Sequence, residues 1–508
     1  MEFMNEMKKT QDIGTLVHTE NGALGHKTTG KYLLDLNFSV SSLRNMREID
    51  VASKFIDAFE EDPTLAMRWL FFARDVRGGM GERRLFRVCM KALAIRNSTL
   101  VESLVPLVHI YGRWDDLWDL MYMTGGVRDA VVNVVKQQLA KDILAAKRND
   151  PISLLAKWMP SVNTSSEKTR RMARYLANSL GLTERQYRKI LSGLRSKLNV
   201  TEKMMSAKKW QDIDYEAVPS QANLLYKDAF LRHDEARRNE YLESLKKGEK
   251  KINASTLFPH DVVHKYDWNS TLDRTVEQLW DNLPDYVQGN GSTMVVADGS
   301  GSMCRNIGDT RVTAWEVAHA LAIYFAQHSK GPYKDQYITF SSFPEFVRLD
   351  GRTLLDNIRI ARNHREITNT NIEAVFDLIL DTALRTHCNQ EDIPQTILIL
   401  SDMEFDTATY GGRDSGFKSP SVALFDTIRE KWEEAGYKIP RLVFWNINSR
   451  TGAIPMREND LGVTLVSGFS PAVCKIVLTS ELDPYKALVE TVLNPRYDAV
   501  EEAIKNIV

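Results

Sequence analysis

The chain has 508 residues, too many for one ordinary hydrophobic core, so two or three domains are expected. It is 43% apolar and 26% charged, the balance of a globular protein rather than a disordered or fibrous one. Net charge is −1 but uneven: residues 1–289 carry 44 Lys and Arg against 38 Asp and Glu, residues 290–508 carry 22 against 29.

Residues 1–30 are polar and rich in Gly and Thr, which predicts an extended lead-in without the apolar core of a signal peptide. From Tyr32 to Asp285 apolar residues recur every three or four positions, predicting helices at Val51–Phe59, Pro63–Arg74, Glu82–Ile95, Val101–Ile110, Gly126–Lys147, Glu167–Leu180, Glu184–Lys197, Gln221–Ala229 and His233–Lys247. A succession of short helices with little strand-like alternation predicts a helical-repeat array over residues 31–287. Within it, residues 151–210 hold 13 basic and only 3 acidic side chains.

A turn cluster at Gln288-Gly289-Asn290-Gly291 marks the expected boundary, after which the pattern changes. Strands are predicted at Thr293–Ala297, Gln336–Ser341, Glu345–Leu349, Thr396–Leu400, Arg441–Asn446 and Val463–Val466. Helices alternate with them at Thr313–His328, Thr353–Ala361, Asn371–Leu384 and near Val422–Ala435. The fold class is therefore α plus α/β: an all-α module over 31–287, then a doubly wound parallel sheet over 288–508. Ligands of such sheets bind beyond the carboxyl ends of the strands.

Three loops at those ends carry oxygen donors: Asp298-Gly299-Ser300-Gly301-Ser302, Thr368-Asn369-Thr370-Asn371 and Ser401-Asp402-Met403-Glu404. With no His or Cys among them, they select Mg²⁺, Mn²⁺ or Ca²⁺ over zinc. Gly299–Met303 lacks the Lys-Ser/Thr of a phosphate-binding loop, and neither serine stands in a Gly-x-Ser-x-Gly elbow. A metal-dependent hydrolase would need a nucleophile–base pair, and the sequence presents none. No apolar stretch approaches the roughly 18 residues of a membrane span, and the four scattered cysteines read as reduced thiols. A cytoplasmic protein without a membrane partner is expected.

The Asp298–Ser302 segment resembles the Asp-x-Ser-x-Ser motif of von Willebrand A domains, whose metal-ion-dependent adhesion site it implies here. The resemblance implies Asp298, Ser300, Ser302, Thr370 and Asp402 as metal ligands, with Thr368 as the alternative in the second loop. Glu404 and Asp406 would stand behind them. Two departures are visible: the glycines usual before the threonine are absent, and the third loop has Ser-Asp-Met-Glu where Thr-Asp-Gly is common.

Other phrases span nearly the whole chain. They are Leu33-Leu34-Asp35-Leu36, Arg77-Gly78-Gly79-Met80-Gly81-Glu82-Arg83-Arg84, Tyr111-Gly112-Arg113-Trp114-Asp115-Asp116-Leu117, Lys227-Asp228-Ala229-Phe230, Arg232-His233-Asp234, Gly248-Glu249-Lys250-Lys251-Ile252-Asn253-Ala254 and Ser401–Asp406. They resemble the family called domain of unknown function 2828. Its layout is similar to that of Ro 60-kDa autoantigen (TROVE) proteins, in which a ring of HEAT-like helical repeats precedes an A domain. That similarity implies binding of structured or misfolded noncoding RNA through the basic helices. The candidates are Lys168, Arg170, Arg171, Arg174, Arg185, Arg188, Lys189, Arg195 and Lys197. The competing expectation is a non-enzymatic protein adaptor whose metal captures an acidic side chain of a partner. Trp114 and Trp118 read as core, and His233-Asp234 as a structural pair.

Overall fold

A computed structural model describes residues 16–18, 24–123, 125–198, 200–267, 269–287, 292–308, 310–341, 343–364, 371–404, 428–450, 454, 463–473 and 483–508. The N-terminal part is helical and the C-terminal region builds a six-stranded, mostly parallel sheet. The contacts divide the chain into two compact units that interleave in sequence. One joins Met1–Arg47 to Leu242–Thr491; the other joins Glu48–Tyr241 to Val492–Val508. The expected single cut at 287/288 therefore gives way to an exchange of segments.

In the helical unit the predicted helices appear within a few residues of their expected ends: Glu48–Glu61, Pro63–Arg74, Arg83–Arg96, Ser98–Tyr111, Gly126–Arg148, Glu167–Ser179 and Glu184–Lys197. Their starts follow capping chemistry. Asp62 accepts from Leu65 N ahead of Pro63, and Thr183 and Gln186 form a reciprocal capping box. The predicted helix Gln221–Ala229 is two, Ser220–Leu225 and Lys227–His233. Trp114–Tyr122 is a 3₁₀ segment, in which Trp114 is buried and stacks on His109 with ring centres 3.9 Å apart.

This unit is closed by the C-terminus of the chain. The helix Asp498–Ile504 packs on Pro63–Arg74 and Ser98–Tyr111. Arg68, 2% exposed, donates to Val492 O at 2.9 Å, Asn494 O at 3.0 Å, Asp498 Oδ1 at 2.9 Å and Glu501 Oε2 at 2.7 Å. The Arg77–Arg84 phrase turns the chain beside this joint. Arg496 and Tyr497 both bond Asp75, and a Cβ on Gly79 would lie 1.9 Å from Phe72 O, so no side chain fits there.

In the other unit, strands β1 (Leu16–His18) and β2 (Leu24–His26) form a small antiparallel pair. The main sheet consists of β3 (Thr293–Asp298), β4 (Gln336–Phe340), β5 (Phe346–Arg348), β6 (Thr396–Ser401), β7 (Arg441–Asn446) and β8 (Val463–Ser467). Their order is β5-β4-β3-β6-β7-β8, all parallel except the β4–β5 hairpin. Strands β3, β6 and β7 are nearly continuous apolar runs, as burial on both faces requires, whereas the edge strand β5 buries only Val347. Ala314–His328 covers one face, its start set by the Thr313–Glu316 capping box. Pro259–Val263 packs on that helix, and Trp280 donates to Gln327 Oε1 at 2.7 Å. Segments read as the two ends of the helical array, 32–43 and 259–281, thus belong to the sheet unit. Helix Tyr32–Phe38 packs on β8, and Ser41 meets Ser467 Oγ at 3.0 Å and Asn446 O at 3.2 Å.

Chain order and spatial order together fix where a ligand can enter. From β3 the chain runs outward through β4 to β5, then returns to the other side of β3 to lay down β6, β7 and β8. The winding reverses between β3 and β6, which makes their carboxyl ends the switch point of the sheet. Among the described residues no helix is long and apolar enough to cross a membrane.

Candidate functional site

The loops after β3 and β6 hold Asp298, Ser300, Ser302 and Asp402, and they meet at this switch point. Parallel register pairs Ala297 with Leu400, which sets Asp298 beside Ser401. Asp298 is fully buried. Its Oδ1 accepts from Ser300 N at 2.9 Å and its Oδ2 from Ser401 Oγ at 2.6 Å. Ser300 Oγ and Ser302 Oγ are 3.0 Å apart, and the Ser302 hydroxyl bonds Asp402. Two carboxylates and two hydroxyls therefore share one spot.

Their electrostatics follow from burial. Desolvation, then the neighbouring Asp402 charge, pushes the Asp298 carboxyl up to about 7. Burial also raises Asp402, opposed by the Arg450 guanidinium. A donor set of carboxylate and hydroxyl oxygens, with neither nitrogen nor sulfur, fits a hard divalent cation. Among the described residues no group of three or more His, Cys, Asp or Glu side chains is placed to hold a metal.

The Ser-Asp-Met-Glu loop has a structural reason to differ from one with glycine. Met403 adopts the left-handed conformation, φ 61°, that glycine takes without strain. Its side chain is buried, and its N–H donates to Ser401 Oγ at 3.1 Å. Core packing thus offsets a backbone cost of roughly 1–2 kcal/mol.

Glu404 is 1% exposed and accepts from Arg450 N at 2.7 Å and Ser449 Oγ at 3.4 Å. Arg450 NH1 in turn donates to Asp402 Oδ2 at 2.8 Å. Arg450 is a site residue that the sequence reading missed, and Ser401, read there as part of the third loop, bonds Asp298 itself. The available signal for Arg450 was the Asn-Ile-Asn-Ser-Arg run at the end of the β7 strand, a further loop on the same sheet edge. Thr368, Thr370 and Asp406 lie outside the described residues; Asn371 caps the helix Ile372–Thr386 through Ala374 N at 3.2 Å.

The nine basic candidates sort by what they touch. Arg171 pairs with Glu167, and Arg174 with Glu184 at 3.0 Å. Arg170 donates to Thr164 O at 2.8 Å and Ser165 O at 2.9 Å. Arg195 holds a loop, donating to Ala156 O at 2.8 Å, Met159 O at 2.6 Å and Ser161 Oγ at 2.7 Å. Lys197 reaches Asn149 Oδ1 at 2.7 Å. Lys168, Arg185, Arg188 and Lys189 are exposed and make no ion pair among the described residues.

Arg185, Arg188, Lys189 and Arg195 line one cleft of about 1550 Å³, together with Lys157 and Lys203. Its two acids are already matched, Glu184 by Arg174 at 3.0 Å and Glu202 by Lys157 at 3.7 Å. The sequence showed the charge density but not which residues would share a cavity. Asp234 accepts from Tyr215 and Arg237, while His233 stacks on Trp210, so that pair is structural.

Comparison with known proteins adds the following. The uncharacterized protein L728 of Acanthamoeba polyphaga mimivirus is 32% identical over 525 residues, spanning 95% of this chain and 89% of that protein. The chain belongs to the L728 family. Two domain families divide it: domain of unknown function DUF2828 matches residues 126–295, and domain of unknown function DUF7788 matches residues 292–503. The second match begins at the start of β3 and contains all four converging oxygen donors.

Proposed function

We propose that this member of the L728 family is a non-enzymatic binding protein that grips RNA in the basic cleft. We further propose that it holds a divalent cation, Mg²⁺ first, at Asp298, Ser300, Ser302 and Asp402. The cleft carries the RNA reading. Its volume is about 1550 Å³, its lining holds Arg185, Arg188, Lys189, Arg195 and Lys203 beside a Lys157 paired with Glu202, and its other acid, Glu184, is matched by Arg174. Phosphate contacts need just such a surface and need no base-reading geometry. The Ro-like similarity makes structured or misfolded noncoding RNA the substrate class, with the helical unit as a HEAT-like gripping surface. The parallel sheet, its switch point and the Asp-x-Ser-x-Ser loop support a von Willebrand A-type cation site, where Mn²⁺ or Ca²⁺ could substitute. The cation would supply a Lewis-acidic docking point for an acidic side chain of a protein partner.

The test is retention of a mixed structured-RNA pool by the full chain at low and at physiological salt. Retention should fall steeply with salt. Charge reversal of Arg185, Arg188 and Lys189 should flatten the dependence by about two units of log–log slope, from ~0.7 per lost phosphate contact. Wild-type protein that retains no RNA at either salt defeats the reading. The adaptor would then move first, and one observation already favours it. A groove of about 460 Å³, lined by Ile143, Leu182, Ile190 and Leu194 and bordered by Lys189 and Lys197, suits an acidic amphipathic helix.

A further inference from the structure

The loop after β7 places a positive charge on Asp402. Asp402 has two carboxylate oxygens. Oδ1 accepts from Glu404 N at 3.2 Å, and Oδ2 accepts from Arg450 NH1 at 2.8 Å. Asp402 is 2% exposed at its side chain and Arg450 18%, so little solvent screens the pair. Arg450 is not a surface residue that drifted onto a carboxylate. Ser449 N donates to Asn446 Oδ1 at 2.8 Å, fixing the turn out of β7, and Ile447 N donates to Ser401 O at 2.9 Å, tying that turn to β6. Glu404 then takes Arg450 N at 2.7 Å, so the backbone of residue 450 is anchored by the residue two places after Asp402. The arginine can leave Asp402 only by swinging its side chain, because its main chain is pinned to the same loop.

We propose that Arg450 is the resident counter-ion of Asp402 and sets the affinity of the site: a divalent cation binds by displacing the guanidinium from Asp402 Oδ2. The inference rests on the cation site proposed above. A cation on Asp402 and the guanidinium on its Oδ2 compete for the same carboxylate, and their mutual repulsion in a poorly screened pocket favours departure of the guanidinium when the cation arrives. With Arg450 in place, the metal-free protein has a neutralised Asp402 and a stable loop.

The measurement is calorimetric titration of Mn²⁺ into the full-length protein, for wild type, Arg450→Gln, Arg450→Met, Arg450→Lys and Asp298→Asn. Metal-free thermal melts confirm that each variant is folded. Two neutral replacements are included so that loss of folding in one leaves the other to decide. Arg450→Gln or Arg450→Met should bind Mn²⁺ about tenfold more tightly than wild type, because an opposing unit charge is gone from a partly buried site. Arg450→Lys should stay near the wild-type affinity. Wild type that binds while the neutral variants bind equally or more weakly overturns the role of Arg450 and leaves the cation site standing. Binding by the neutral variants alone supports the counter-ion in its strongest form. No heat from any variant, or undiminished binding by Asp298→Asn, overturns the cation site itself and the inference with it.

Discussion

The two candidate sites of this protein are built on opposite physical terms. In the sheet unit Asp298, Asp402 and Glu404 are almost wholly buried, each fixed by hydrogen bonds to main-chain N–H groups or hydroxyls of neighbouring loops. In the helical unit Arg185, Arg188 and Lys189 stand in solvent without ion pairs among the described residues. A buried carboxylate pair is costly unless it is hydrogen-bonded and meets a counter-charge, which Arg450 supplies to Asp402; the cation site proposed there would be specific for one small ion. Exposed cations cost little, bind through summed long-range attraction and are weakened by salt. The difference teaches what each site is suited to under the proposed function: one ion in a fixed geometry, or a long polyanion in many.

The sharpest way to break this contrast is at Asp298. Asp298→Ala should abolish the Mg²⁺- or Mn²⁺-dependent stabilisation seen in thermal melts, expected for wild type at about 2.7 kcal/mol at a hundredfold excess over Kd. A retained metal response would show that burial at the switch point is structural only.

The second break lies at the joint of the helical unit. Arg68→Ala strips partners from two main-chain carbonyls and two carboxylates, and should cost roughly 2–3 kcal/mol in urea unfolding of the full chain. A loss below about 0.5 kcal/mol would mean that the C-terminal segment closes the unit without this arginine.

A milder comparison separates the basic residues themselves. Charge reversal of Arg185, Arg188 and Lys189 should reduce RNA retention more than reversal of Arg170, Arg171 and Arg174, which are engaged with backbone and acids. Equal losses would mean that overall charge, not the cleft, governs binding.

The smallest effect concerns His264, whose Nδ1 lies 2.8 Å from Glu316. That hydrogen bond raises the His264 pKa above its ordinary value, against desolvation. A folded-state pKa above the unfolded one stabilises fully below about 6.5, and the contribution fades as pH rises through the folded value. His264→Gln should therefore cost a few tenths of a kcal/mol near pH 5.5 and nothing near pH 8.5, since the ring is one-third exposed. A pH-independent cost would assign His264 to packing.

Much of the fold was legible because periodicity and capping are local. Pro63–Arg74, Glu184–Lys197 and Arg441–Asn446 were predicted at the ends they adopt. The Trp114–Tyr122 segment escaped, because four-residue spacing of two tryptophans reads as an α-helix, whereas the turn is fixed by Asp116 drawing in Arg74 and Arg87. Asp298, Ser300, Ser302 and Asp402 were legible because their loops follow apolar strands. Arg450 was not, since a single arginine 48 residues beyond Asp402 gives no local sign that its loop returns to that carboxylate.

By itself the sequence determined the element types, the oxygen-only character of the site and the concentration of charge between residues 151 and 210. Each depends on side-chain chemistry within a few positions, where spacing and propensity decide. Tertiary structure alone decided the interleaving of the two units, the placement of β3 beside β6 and the convergence of Arg450 on Asp402. It also decided which cations share a cleft and which are consumed by neighbours. Those outcomes depend on contacts across tens to hundreds of residues, where the burial of apolar faces ranks the alternatives and no local pattern can record the result.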